Sequence, residues 1–189
     1  RPVIAMTPPN DNYDSWTLQQ FPEHPDLTSP TTYWPQQLSI LNANNNSKVE
    51  YFDAIVSVDK NIAYPNTLFF SNEMGYGLFR MNGQQINYWM NHTSDLEDPL
   101  LRGRSTINLY ENFWDGRIDP SKYINFLLKN IYTEDEPLLI NLYANQLKSI
   151  FWKTIPQDSW VRISKEITKT VLNKAKAIDN LATKKTLLN

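Results

Sequence analysis

The chain has 189 residues, no cysteine, two histidines, five glycines and a formal net charge of −2. That length fits one large domain or two small ones, and six Trp, ten Tyr and eight Phe supply ample area for a core. The composition excludes disulfides, thiolate catalysis and cysteine-ligated zinc. No apolar run approaches the roughly 18–20 residues of a membrane span, and the lack of a basic excess argues against a nucleic-acid partner.

The first half reads as strands and loops. Residues 1–90 carry four basic and eight acidic groups, and eight of the twelve prolines fall within the first 65 residues. Proline removes a backbone donor and is excluded from helix interiors. Strand patterns appear at Val3–Met6 and Ser15–Phe21, and at Gln37–Leu41 before the polar run Asn42–Asn46. One apolar stretch then holds Tyr51, Phe52, Ile55, Val56 and Val58. Asn61–Phe70 and Tyr76–Met81 complete the set. Six or seven short strands between turn signals predict a small β-sandwich.

The second half, with 14 basic and 12 acidic groups over residues 91–189, carries helix punctuation. Asp98-Pro99 opens a helix to about Asp115, ended by Gly116, and Asp119-Pro120 opens another to about Asn130. Glu134-Asp135-Glu136-Pro137 places acids and a proline at a helix start, where the dipole favours negative charge. Pro156-Gln157-Asp158 begins a last helix carrying Trp160, Ile163, Ile167, Val171, Ala175 and Ile178 on one face. Four amphipathic helices with short connections predict an antiparallel bundle or the start of an α-superhelical array. The expected class is α+β in two segregated parts, residues 1–85 and 86–189.

Catalytic signatures are sparse. The two histidines, His24 and His92, lie far apart and form no His-Glu-x-x-His helix, so both read as ordinary surface or capping residues. No Gly-x-Ser-x-Gly elbow is present, and Gly75-Tyr76-Gly77 is too short for a phosphate-cradling loop. From Arg162 to the end, Arg162, Lys165, Lys169, Lys174, Lys176, Lys184 and Lys185 face two acids, Glu166 and Asp179. This is either a solvated helix face or a surface for an anionic partner. Aromatic pairs at Tyr33-Trp34, Tyr51-Phe52, Phe69-Phe70, Tyr88-Trp89, Phe113-Trp114 and Phe151-Trp152 read as packing, or as a sugar-stacking face. The chain opens on Arg1 and ends inside a helix-like pattern, so it is expected to be a piece of a longer protein.

Several strings in order resemble the C-terminal part of M1-family zinc aminopeptidases. Arg1-Pro2-Val3-Ile4 is similar to the link that leaves that family's catalytic domain. Tyr33-Trp34-Pro35-Gln36-Gln37-Leu38-Ser39-Ile40 and Met74-Gly75-Tyr76-Gly77-Leu78-Phe79-Arg80-Met81 resemble its sandwich strands. Asp98-Pro99-Leu100-Leu101-Arg102 and Leu109–Ile118 resemble its first C-terminal helices, with the family's fourteen-residue spacing kept between Arg102 and Gly116. The resemblance implies a small antiparallel β-sandwich followed by the first helices of a superhelical domain. It implies a non-catalytic piece that spaces and caps a peptide-binding cavity. Zinc and the catalytic groups would belong to an upstream domain, which would be this chain's own partner. No catalytic or metal-ligating residue carries over. Tyr76, Arg102 and Gly116 are the motif's structural residues, and Lys148 and Lys153 are candidate contacts for a peptide carboxylate. A stand-alone binding module, or a scaffold whose parent lost its zinc site, are the alternatives. The peptidase reading also predicts an apolar surface patch where the catalytic domain would sit.

Overall fold

A computed structural model describes residues 2–7, 15–22, 36–41, 47–52, 55–59, 68–71 and 77–188. The chain is α+β, and it divides into two compact units, Arg1–Trp89 and Met90–Asn189.

Among the described residues of the first unit there are seven strands: β1 (Pro2–Thr7), β2 (Ser15–Pro22), β3 (Gln36–Leu41), β4 (Ser47–Phe52), β5 (Ile55–Asp59), β6 (Leu68–Ser71) and β7 (Leu78–Arg80). They form two sheets. One has the order β5-β2-β1-β7 and the other β4-β3-β6. The second is antiparallel throughout, with Leu38 opposite Glu50 and Ser71. The first is mixed. β1 runs antiparallel to β2 but parallel to β7, with Val3 opposite Leu78 and Ile4 opposite Phe79. This corrects the expectation of purely antiparallel pairing. A parallel pair needs a long connection, and here the whole strand region separates the two partners. Val3 and Ile4 point to opposite faces of the sheet and both are buried, as are Leu78 and Phe79. Gly77 leads into β7 where a Cβ would stand 2.9 Å from the Pro2 carbonyl oxygen. The glycine therefore permits a close backbone approach.

The apolar stretch from Tyr51 to Val58 is shared by two strands, β4 and β5, which belong to different sheets. Asp53-Ala54 separates them.

Six helices follow: α1 (Gly83–His92), α2 (Pro99–Trp114), α3 (Pro120–Thr133), α4 (Pro137–Thr154), α5 (Trp160–Ala177) and α6 (Leu181–Leu188). The starts of α2, α3 and α4 fall where the sequence puts them, at Asp98, Asp119 and Glu136. Each of these side chains accepts hydrogen bonds from backbone N–H groups of the first turn, with proline at the first helical position.

Two helices add to the four that the sequence pattern predicts. α1 begins at a capping box: the Asn82 side chain accepts from the Gln85 N–H at 3.1 Å, and the Gln85 side chain accepts from the Asn82 N–H at 3.2 Å. α6 splits off from the single terminal helix that the apolar spacing suggested. α5 stops at Ala177, and the Asn180 side chain restarts the helix by accepting from the Thr183 N–H at 3.0 Å.

The helical unit's core is built from α2, α3, α4 and α5. Leu109, Tyr123, Leu127, Ile131, Tyr143 and Ile150 are essentially inaccessible. Tyr123 stacks with Phe113, Phe126 and Tyr110 at centroid distances of 5.3, 5.4 and 6.3 Å. Offset stacking of this kind adds to area burial.

Candidate functional site

Two places in the helical unit combine chemistry with shape: a polar corner where α3 turns into α4, and an apolar groove among α4, α5 and α6.

The corner is built on three consecutive acids, Glu134, Asp135 and Glu136. Only Glu136 does what the sequence pattern suggests, accepting from the Leu138 N–H as the cap of α4. Glu134 turns inward. Its two oxygens accept from Arg102 Nε and Nη2, each at 2.8 Å, and one also accepts from the N–H groups of Asp135 and Glu136. Arg102 Nη1 donates to the carbonyls of Leu96 and Glu97 at 2.9 Å. The Arg102 guanidinium thus fastens the start of α2 to the segment before it and to the α3–α4 turn. The pair is mostly covered, with 15% of the arginine and 6% of the glutamate side chain exposed.

Burial pushes the Glu134 carboxyl upward. The hydrogen bonds from Arg102 and from two backbone N–H groups outweigh that and hold it below its ordinary value. The hydrogen bond to Glu134 likewise raises Arg102, keeping it charged.

Asp135 takes the third direction. Lys174 of α5, only 7% exposed, donates to Asp135 Oδ1 at 3.2 Å and to the Tyr132 carbonyl at the end of α3 at 3.3 Å. The expectation that Lys174 belongs to a solvated basic face is therefore wrong. The residue is a buried strut that neutralises the end of α3.

Gly116 sits where α2 ends, with φ of +76°. The Gly116 N–H donates to the Phe113 carbonyl and the Arg117 N–H to the Asn112 carbonyl, each at 3.0 Å. This is a Schellman closure, and it needs a residue that tolerates the left-handed region. Arg102 and Gly116 thus serve the two ends of one helix. Tyr76, the third motif residue, lies outside the described residues.

Beneath the corner is a buried polar cluster. Tyr123 Oη donates to Gln146 Oε1 at 3.0 Å and lies 3.2 Å from the Thr106 carbonyl. Burial raises the Tyr123 hydroxyl well above its usual range. Tyr143 Oη has no hydrogen-bond partner among the described residues. Burial pushes it up to about 12, while the Thr106 side chain works in the opposite direction from a geometry short of a hydrogen bond.

The groove lies between α4 and α5 and is closed at one end by α6. Its volume is about 580 Å³, and Leu147, Phe151, Trp152, Ile167, Val171 and Leu187 form most of its apolar lining. Lys148 is on its α4 wall. Lys153 is not; its ammonium lies over the Trp114 ring at 5.5 Å from the centroid. Five residues of helix turn the two lysines about 140° apart, so they do not converge on one carboxylate.

The remaining candidates separate. His92 is a surface residue whose Nδ1 pairs with Asp95 Oδ2 at 2.7 Å. His24 and Tyr33-Trp34 lie outside the described residues, and only the backbone is described for Tyr51-Phe52 and Phe69-Phe70. Trp89 and Phe113 are buried, whereas Trp114 is 43% and Trp152 60% exposed. Among the described residues no group of three or more His, Asp or Glu side chains could hold a metal ion, and no helix is long and apolar enough to cross a membrane. The corner ties α2, α3 and α5 together through charge pairs, and the groove presents a recessed apolar surface. No protein-family model matches the sequence, and no curated protein matches it either.

Proposed function

We propose that this chain is the C-terminal portion of an M1-type zinc aminopeptidase, a non-catalytic piece that spaces and covers a peptide-binding cavity. In this reading the zinc, its activated water and the general base belong to an upstream catalytic domain. The two sheets would face each other as the family's small sandwich, and α2–α6 would begin its superhelical array. The alternatives, a stand-alone binding module or a scaffold remnant of an inactive parent, would keep the same architecture without that chemistry.

The observation that carries the reading is helix α2. Its two motif residues, Arg102 and Gly116, hold its beginning and its end, which gives their spacing a structural reason. Its outer surface carries Leu100, Ile107 and Trp114, exposed by 59%, 51% and 43%. Seven-residue spacing places all three on one stripe. Such a stripe is the kind of surface a neighbouring domain covers.

The test is the reading frame that contains Arg1. The expected result is a His-Glu-x-x-His motif upstream in the same frame, together with release of N-terminal residues from peptides by the full-length protein. A chelator should abolish that release, and Ile107→Glu should loosen the helical part, making it sensitive to limited proteolysis. A frame without the motif overturns the peptidase reading. A frame that keeps the surrounding domain but has lost the two histidines identifies the scaffold remnant instead.

A further inference from the structure

We propose that the groove among α4, α5 and α6 docks an amphipathic helical segment of another protein, one that carries carboxylates beside its apolar anchors.

Shape comes first. The apolar lining is recessed between helices, and the α4 wall runs from Ala144 to Trp152. At about 1.5 Å per residue that is some 12 Å, a length matched by roughly two turns of a bound helix. The α5 wall, from Ser164 to Leu172, lies inside its helix, so its backbone groups are already paired and cannot bond an extended strand. A helical ligand brings its own backbone bonds and needs only side-chain complementarity. Trp152 provides an anchor at the rim. It is 60% exposed, yet its ring is held edge-on against Phe151 at 5.1 Å and Trp160 at 5.3 Å. A pre-positioned aromatic loses little freedom on binding.

Charge selects the partner. On α5, Ser164, Ile167, Thr168, Val171 and Leu172 line the groove. At 100° per residue, the arc next to Leu172 carries Lys165, Lys176, Lys169 and Arg162, and all four are exposed. Lys148 stands on the opposite wall. Glu166 faces away, lining a separate depression with Leu128 and Tyr132 of α3. The groove is therefore apolar inside, and its α5 flank is cationic. A segment with Leu-type anchors and flanking Glu or Asp complements it. A second copy of this chain, meeting it about a two-fold axis, would bring these cations against one another.

The experiment uses the whole chain and synthetic probes. A fluorescent helical peptide of about four turns carries Leu at i, i+4, i+7 and i+11 with Glu beside them. One control replaces each Glu by Lys, and another scrambles the order. The Glu peptide should bind at least about tenfold more tightly than either control, and the difference should shrink several-fold between about 50 and 500 mM NaCl. Leu172→Glu should weaken binding by about tenfold or more, and Lys165→Glu with Lys169→Glu should invert the preference towards the Lys peptide. All three positions are exposed, and circular dichroism checks that the variants remain folded. Equal binding of the three peptides, or binding unaffected by Leu172→Glu, overturns the proposal. So does a dimer that Leu172→Glu dissociates, which makes a second copy the occupant. Groove-dependent binding to anionic phosphatidylglycerol vesicles with no response to the Glu peptide also overturns it, in favour of a membrane surface.

Discussion

The corner at Glu134 and the groove below Trp152 share helix α4, yet they are built on opposite principles. At the corner each acid has a partner: Arg102 reaches Glu134, Lys174 reaches Asp135, and Glu136 caps α4. In the groove, apolar side chains meet no partner on their open side. A buried ion pair loses much of its Coulombic gain to desolvation, so the corner contributes alignment of three helices more than net stability. The groove retains apolar surface that a folding chain would normally cover. The first region is organised to stay as it is, and the second to be completed by something else.

The sharpest way to break this contrast is to remove half of the corner pair. Arg102→Ala leaves Glu134 buried without its counter-charge and should cost about 3–5 kcal/mol in urea unfolding, with Arg102→Lys recovering only part of that. The same pair sets an acid dependence. Glu134 has a lowered pKa in the folded chain, so its contribution is present above the unfolded value of 4.5 and is lost as pH falls through the folded one. The urea midpoint of the parent should therefore fall below about pH 4.5, and the part due to Glu134 should vanish in Glu134→Gln.

The two buried tyrosines come next. Tyr123→Phe leaves the Gln146 side chain without its donor and should cost about 1–3 kcal/mol. Tyr143→Phe removes a hydroxyl that has no partner and should be neutral or mildly stabilising. Burial raises the Tyr143 phenol to about 12, so the unfolded chain ionises first and stability falls as pH climbs from 10 through 12. Tyr143→Phe should flatten the corresponding part of the alkaline unfolding profile. Gly116→Ala should cost about 1 kcal/mol through its positive φ. The smallest effect belongs to the groove: Leu172→Ser should move stability by no more than about 0.5 kcal/mol. A larger loss would mean that the groove is part of the fold and not an open surface.

What the sequence reveals follows from how local each signal is. Asp98-Pro99, Asp119-Pro120 and Glu136-Pro137 mark helix starts because capping is settled within three residues. Arg102 and Gly116 are singled out by the family resemblance, but the partner of Arg102 is 32 residues away at Glu134. No periodicity announces such a pair. Helix α1 was within reach, since Asn82 and Gln85 stand three apart as a capping box; Asn82-Gly83 reads equally well as a turn. The division between α5 and α6 is hidden because apolar spacing continues to Ile178 while Asn180 starts a new cap. Lys174 looks like its solvated neighbours until the packing of α5 on α3 turns it inward. The groove is a property of three helices together, and single-helix patterns show only its walls.

The parallel pairing of β1 with β7 has a consequence for how the chain is made. Val3 finds Leu78 across 75 residues of sequence, whereas α3 packs on α4 and α5 on α6, the next helix in the chain in each case. On a ribosome β1 emerges early and must wait, with one edge unpaired, until residues 78–80 are synthesised. Closing so long a loop is slow, and a waiting edge strand invites mispairing. The strand unit therefore finishes as one late event, while each helix can form as it appears. The last strand acts as a latch: truncation anywhere before Leu78 should leave the first sheet open at β1.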